Sequence, residues 1–204
     1  MELHYASEWD EKLQRRLRAA GIGGNDCVVG VHAGWGGRRH PPDQTRLRSW
    51  PAANFAEVVR WLAQSIGARV VLTGSVPDHL VNENIRRLSP VDCLNLAGKM
   101  SLLETAALIR RLNLYLTVDS GPAHMAAALG TPLVTLWGPG VFEQTAPLAG
   151  RGPVQILNRH VRCAPCYGTP LMKSCQDNIC MKQIGVADVE EAIQQMLGLT
   201  RAEH

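Results

Sequence analysis

The stretch Leu114-Tyr-Leu-Thr-Val-Asp-Ser-Gly-Pro-Ala-His-Met-Ala-Ala-Ala-Leu-Gly130 contains an apolar run, a tight turn and a run of small helix-forming residues. The run at residues 114–118 is short and mostly apolar, and it includes β-branched and aromatic side chains. This composition predicts a buried strand. Pro122 suits the first turn of a helix, where its missing N–H is not needed, and Gly130 suits a helix end. The stretch therefore predicts a β-strand that leads directly into an α-helix.

The same alternation continues in both directions from this stretch. Strands are predicted at residues 27–33, 68–73, 92–96, 114–118, 133–137 and 154–157, and helices at 8–20, 51–66, 77–88, 101–112, 122–129 and 188–197. Ser101 with Glu104 has capping-box spacing, and Asn54 with Glu57 is a variant of it. Alternating strands and helices of this length indicate an α/β fold, a three-layer, doubly wound, Rossmann-like parallel sheet. Ligands bind such sheets at the carboxyl ends of the strands.

Composition limits the class of protein. The chain has 204 residues, 46% of them hydrophobic and 19% charged, with a net charge of +3. These values suit a globular domain at 27–200, preceded by a helix or linker at 1–26. The small net charge gives no reason to expect a nucleic-acid partner. No apolar run is long enough to span a bilayer, and the acidic start is unlike a signal peptide, so a cytoplasmic location is expected.

The turn after the strand at 114–118 is the strongest candidate site. Unpaired amides at 123–125, at the positive end of the helix dipole, attract phosphate groups. Gly121 permits close approach of a ligand to the backbone, and the Asp119 carboxylate is placed to accept hydrogen bonds from sugar hydroxyls. The alternative is an ordinary strand-helix turn in which Ser120 or Asp119 caps the helix.

A second candidate is the glycine-rich loop between the first strand and the helix at 51–66. It carries Arg38, Arg39, Arg46 and Arg48 against a single acid, Asp43. Guanidinium groups bind phosphates in a bidentate manner, so this loop suits a diphosphate. The alternative is a solvated surface loop.

Two weaker candidates follow the second and third strands. Asp78 is placed to bind ribose hydroxyls, as an acid does in nucleotide-binding folds, although helix capping explains it equally well. Met100 could pack on a purine ring, or it could fill a gap in the core.

Four of the six cysteines, Cys163, Cys166, Cys175 and Cys180, form a cluster in a segment at 163–180. The spacing Cys-x2-Cys-x8-Cys-x4-Cys admits a tetrahedral zinc site. The cluster could equally consist of reduced or redox-labile thiols, or it could form disulfides. The spacing does not decide among these three states.

Taken in order, several segments resemble the carboxyl-terminal domain of the ADP-heptose:lipopolysaccharide heptosyltransferases, glycosyltransferase family nine. The resemblance covers roughly residues 28–197. Its most specific part is the Asp-Ser-Gly-Pro-x-His segment followed by Ala-Ala-Leu-Gly. The segments are Arg48-Ser-Trp-Pro51, Gly74 with Asp78, Leu96-Ala-Gly-Lys-Met-Ser-Leu102, Asp119 to Gly130, and Leu136-Trp-Gly-Pro139.

The resemblance implies the carboxyl-terminal half of a two-domain GT-B enzyme, with residues 27–200 binding the nucleotide-sugar donor. It implies transfer of heptose from ADP-heptose to the lipopolysaccharide inner core, without a required metal. By position, it assigns Arg48 to the diphosphate, Asp78 to ribose, Met100 to adenine, Asp119 to the sugar, and Ser120, Gly121, Pro122 and His124 to the turn that cradles the diphosphate. The general base is expected in the other domain, so no catalytic residue is assigned in this chain.

This sequence departs from the family pattern at a few positions. Arg48 replaces a Lys, Asp78 replaces a Glu, and Gly34-Trp35 stands where relatives often carry hydroxyl residues. Too few residues precede the first strand for an acceptor-binding domain, so we expect a fragment that transfers little sugar alone. The lipid-A-core acceptor would be bound through the missing domain, with at most peripheral contact with the cytoplasmic face of the inner membrane.

The sequence is compatible with three further interpretations. Nucleotide-sugar epimerases share the paired Rossmann-like architecture, and the chain could be half of one. It could instead be a Cys-cluster module that binds a metal or a partner. The third interpretation is a degenerate fragment without catalytic function.

Overall fold

The computed structural model describes residues 8–34, 47–148 and 150–199, in which six strands alternate with helices. The strands are β1 (Val28–His32), β2 (Arg69–Leu72), β3 (Cys93–Asn95), β4 (Leu114–Val118), β5 (Leu133–Trp137) and β6 (Val154–Asn158). The helices are α1 (Glu8–Ala19), α2 (Ala52–Gln64), α3 (His79–Leu88), α4 (Leu102–Arg111), α5 (Gly121–Leu129), α6 (Phe142–Thr145), α7 (Pro170–Ser174), α8 (Ile179–Lys182) and α9 (Val186–Met196). A 3-10 turn at Val76–Asp78 leads into α3.

The strands form one parallel sheet in the order β3-β2-β1-β4-β5-β6. The chain builds the sheet outward from β1 in one direction, then crosses back to β4 and continues in the other. The sheet is therefore doubly wound, as the sequence predicted, although the sequence did not predict the strand order. The connections leave β1 and β4 toward opposite sides, so a crevice opens outside their carboxyl ends.

Helices cover both faces of the sheet. One core cluster joins the sheet to α2, α3 and α9, and a second joins it to α1, α4 and α5. The middle strands β1, β4 and β5 are buried along their whole length because both of their faces are covered. Leu13 and Leu17 of α1 belong to the second cluster, so this helix packs on the same sheet as the rest of the chain.

The helix starts confirm one predicted cap and correct another. At α4, the Ser101 hydroxyl accepts the Glu104 amide at 3.2 Å and the Glu104 carboxylate accepts the Ser101 amide at 2.8 Å, which is the predicted capping box. The Asn54–Glu57 box is wrong. Helix α2 begins at Ala52, next to the predicted start at residue 51, and Pro51 is its N-cap without a side-chain cap.

Glu104 makes the stability of the fold depend on pH in acid. Its hydrogen bond to the Ser101 amide, with help from Lys12, lowers the pKa of Glu104 from 4.5 to about 2. A lowered folded-state pKa stabilises the fold above pH 4.5, and this stabilisation is lost as the pH falls toward 2. Glu104→Gln should therefore cost about 1 kcal/mol at pH 7 and should cost less at pH 3.

Urea unfolding at the two pH values measures this effect. Glu11→Gln removes the same charge from an exposed position of α1 and serves as the control. An equal loss of stability at pH 3 and pH 7 for Glu104→Gln would contradict the role given to the Glu104 carboxylate.

Among the described residues, no helix combines the length and apolar character needed to cross a bilayer. The short helices α6, α7 and α8 were not predicted, because each spans only one or so turns and shows no helical periodicity.

Candidate functional site

A cavity of about 680 Å³ opens at the carboxyl edge of the sheet, outside the ends of β1 and β4. The structure brings together at this cavity every residue that the sequence assigned to the donor: Arg48, Asp78, Met100, Asp119, Ser120, Gly121, Pro122 and His124. They come from separate segments of the chain. Their convergence follows from the strand order, which places the ends of β1, β2 and β4 side by side.

The turn between β4 and α5 leaves the start of the helix without a side-chain cap. Ser120 occupies the N-cap position in extended conformation, yet its hydroxyl lies 3.0 Å from the Thr117 hydroxyl and makes no cap hydrogen bond. The interpretation in which a side chain caps this helix is therefore wrong. The expectation for Ala123 is also wrong, because its amide donates to the Ser120 carbonyl at 3.1 Å.

Gly121 is the first residue of α5 and is exposed at the cavity. A Cβ added at Gly121 would meet no atom within 4 Å, and its φ is not positive. The fold itself therefore does not require glycine here. The space beside Gly121 belongs to the cavity, so a larger side chain would occupy volume that a ligand could use.

Arg48 and Asp119 form a buried ion pair at the cavity wall. Arg48 Nη1 lies 2.7 Å from Asp119 Oδ2, and the two residues are only 7% and 6% exposed. The pKa of Asp119 is raised, because the effect of burial exceeds the opposing effect of the positive charges of Arg48 and His124. Removing one partner would leave the other charge buried without compensation, which is costly. A guanidinium has five N–H donors, so its bond to Asp119 is compatible with contact to a diphosphate.

Asp78 both caps the 3-10 turn and lines the cavity, so its two predicted roles do not exclude each other. Its Oδ2 accepts hydrogen bonds from the amide and the hydroxyl of Ser75, both at 2.7 Å. Gly34 lies against the same carboxyl group, and an added Cβ there would overlap it. The close approach of Gly34 to Asp78 explains why a small residue occupies position 34.

Met100 and His124 both line the cavity, from different elements of the fold. Met100 is half-buried and packs against the second core cluster, so its side chain contributes both to the cavity wall and to the core. His124 is exposed, on the first turn of α5. The arginines Arg38, Arg39 and Arg46 of the predicted diphosphate loop lie outside the described residues.

His32 is a cavity residue that the sequence did not single out. It is buried at the end of β1, with Nδ1 at 3.2 Å from the Thr73 hydroxyl. That hydroxyl lies 2.8 Å from the Tyr115 hydroxyl, which completes a polar chain under the cavity. The pKa of His32 is lowered, because the effect of burial exceeds the opposing effect of the nearby Asp78 carboxylate. The position of His32 at the end of a strand could have indicated a site residue. It was not singled out because it lies within an apolar run that was predicted to continue as a strand to residue 33.

The four clustered cysteines occur as free thiols, as do Cys27 and Cys93. No group of three or more His, Cys, Asp or Glu side chains that could hold a metal ion occurs within 8–34, 47–148 and 150–199. No disulfide joins Cys163, Cys166, Cys175 and Cys180 in this structure, and the choice among reduced thiols, disulfides and a zinc site stays a prediction. Burial, followed by the proximity of the other clustered thiols, raises the pKa of Cys180 to about 11.

Comparisons with known proteins identify the family of the chain. Residues 43–175 match the family described as glycosyltransferase family 9 (heptosyltransferase). Lipooligosaccharide heptosyltransferase 2 of Haemophilus influenzae is 37% identical over 111 residues, which cover 52% of this chain and 32% of the relative.

Two solved structures share the fold. A family 9 glycosyltransferase of Veillonella parvula has a TM-score of 0.76 at 24% identity, over 98% of this chain and 54% of its own. The E. coli heptosyltransferase WaaC with ADP has a TM-score of 0.57 at 22% identity, over 84% of this chain and 45% of its own. The chain thus spans about half the length, or less, of the proteins that it matches.

Proposed function

The chain belongs to glycosyltransferase family 9, and from this premise we propose that it forms the nucleotide-sugar-binding domain of a heptosyltransferase. The proposed reaction is transfer of heptose from ADP-heptose to the inner core of lipopolysaccharide. Relatives named as heptosyltransferases and a neighbour solved with ADP support this choice of donor. The proposal includes no nucleic-acid partner, and it places the enzyme in the cytoplasm with at most peripheral contact with the inner membrane.

The observation that carries the proposal is one cavity wall that combines the Arg48 guanidinium with the uncapped start of α5. Both features attract a diphosphate, Arg48 through charge-assisted hydrogen bonds and the helix through its dipole and its first amides. In glycosyl transfer the diphosphate leaves with a growing negative charge. Preformed donors at this wall would stabilise that charge as it develops.

The remaining residues divide between the two ends of the donor. Asp78 and Met100 lie on the β2–β3 side of the cavity, where we place the ribose and the adenine ring. Asp119 lies at the tip of β4, where we place the sugar. We assign no general base to this chain, because the proposal places the acceptor, and the group that activates it, on a second domain that closes over the donor.

Calorimetry with ADP and UDP tests the proposal. We expect measurable binding of ADP and at least roughly tenfold weaker binding of UDP, because the smaller uracil ring cannot make the same contact with Met100. Adenosine should bind more weakly than ADP, since it lacks the groups that Arg48 and α5 would hold. Absence of binding for every nucleoside diphosphate would contradict the proposal.

A further inference from the structure

The Cys-rich segment at 163–180 is fastened to the edge of the sheet beside the cavity. The amides of Cys166 and Tyr167 both donate to the Pro139 carbonyl, at 3.1 and 2.9 Å, just beyond the end of β5. These two bonds fix the backbone of Tyr167 next to the loop that follows β5. Neither bond involves a residue that lines the cavity.

The same segment holds the backbone on both sides of Arg48. The Asn178 side-chain amide donates to the carbonyls of Ser49 at 2.8 Å and of Leu47 at 3.4 Å. The Leu47 side chain is buried in a small cluster with Cys166 and Met172. The main chain at Arg48 is therefore clamped by a segment that lies more than 100 residues later in the sequence.

Tyr167 completes this arrangement at the level of the side chain. Its ring centroid lies 4.0 Å from the Cζ of Arg48, whose Nη1 is bonded to Asp119. A guanidinium at this distance is attracted to the negative face of the ring. The ring thus covers the guanidinium while Asp119 holds one end of it, and together they restrict the rotamers of a long, flexible side chain.

We propose that Tyr167 is a positioning residue for the donor diphosphate, holding the Arg48 guanidinium in the plane in which it meets the phosphate oxygens. The inference rests on the proposed function and adds to it a role for the Cys-rich segment. Preorganising a charged donor strengthens binding by removing the cost of ordering it when the ligand arrives. Tyr167 is 38% exposed, so its replacement should leave the fold intact.

Three proteins test the proposal by calorimetry: the unaltered chain, Tyr167→Phe and Tyr167→Leu. Phe keeps the aromatic face, so it should bind ADP as the unaltered chain does. Leu keeps apolar bulk without a π face, so its affinity for ADP should fall about threefold to tenfold. Adenosine has no phosphate, so its affinity should be the same in all three proteins.

Circular dichroism and the urea midpoint establish that each variant is folded. The proposal is overturned if folded Tyr167→Leu binds ADP like the unaltered chain, or if Tyr167→Phe is weakened as much as Tyr167→Leu. Equal weakening toward adenosine and ADP would also overturn it, because that pattern indicates a general disturbance of the cavity. Failure of the unaltered chain to bind ADP would instead contradict the proposed function, which separates the two outcomes.

Discussion

Arg48→Met should reduce the affinity for ADP about 100-fold and lower the free energy of unfolding by about 3–5 kcal/mol at pH 7. The first effect follows from the loss of charge-assisted hydrogen bonds to the diphosphate. The second follows because Asp119, only 6% exposed, would keep a buried negative charge without its partner. Calorimetry measures the first effect and urea unfolding measures the second.

The stability defect of Arg48→Met should depend on pH in a defined direction. Burial raises the pKa of Asp119 above its ordinary value of 3.8, and Arg48 opposes this rise. Without Arg48 the folded-state pKa rises further. A raised folded-state pKa favours the fold below pH 3.8, and this advantage is lost as the pH increases through the folded-state value. The defect should therefore be smaller at pH 4 than at pH 7.

The double variant Arg48→Met/Asp119→Asn separates the two effects. It lacks both charges of the buried pair, so it should recover much of the stability that Arg48→Met loses. It should not recover affinity for ADP. Recovery of ADP binding together with stability would show that Arg48 contributes through the fold alone, and would contradict its contact with the diphosphate.

Gly121→Leu should weaken ADP binding about tenfold to 100-fold while leaving the free energy of unfolding within about 1 kcal/mol. No atom lies within 4 Å of a Cβ added at this position, and the backbone conformation suits any residue. The new side chain would enter the space in which we place the diphosphate. Calorimetry and urea unfolding of the same samples give both quantities.

Gly24→Leu is a matched control for Gly121→Leu. Gly24 is also exposed, an added Cβ there also meets nothing within 4 Å, and it lies in the turn between α1 and β1, away from the cavity. It should bind ADP normally. If folded Gly121→Leu also bound ADP normally, the helix start would not hold the diphosphate.

The fold was predictable because its signals are local. The strands are short runs rich in apolar residues and most of the longer helices have an amphipathic face, so the alternation that implies a doubly wound sheet can be read without knowledge of contacts. The Ser101–Glu104 box was predictable for the same reason. The start of α2 near residue 51 was predictable as well, but its supposed cap at Asn54 is wrong, because Pro51 is the N-cap and Asn54 lies inside the helix.

The sequence predicted which loops form the site, but it did not predict the contacts between their side chains. Strand order brings together residues such as Asp78 and Asp119, so loop positions alone indicated their convergence. The pairing of Arg48 with Asp119 depends on the rotamer and burial of both side chains, which no sequence pattern specifies. The stacking of Tyr167 on Arg48 joins residues 119 positions apart in a segment without regular periodicity.

The packing of Cys180 has a consequence for its chemistry. Its sulfur lies against Gly138, at the end of β5, and burial raises its pKa to about 11, so the thiol form strongly predominates at pH 7. Only the thiolate attacks electrophiles, so Cys180 is nearly inert while the Cys-rich segment is docked. We expect alkylation of Cys180 to require that the Cys-rich segment first opens. The rate of alkylation would then measure how often this segment separates from Arg48.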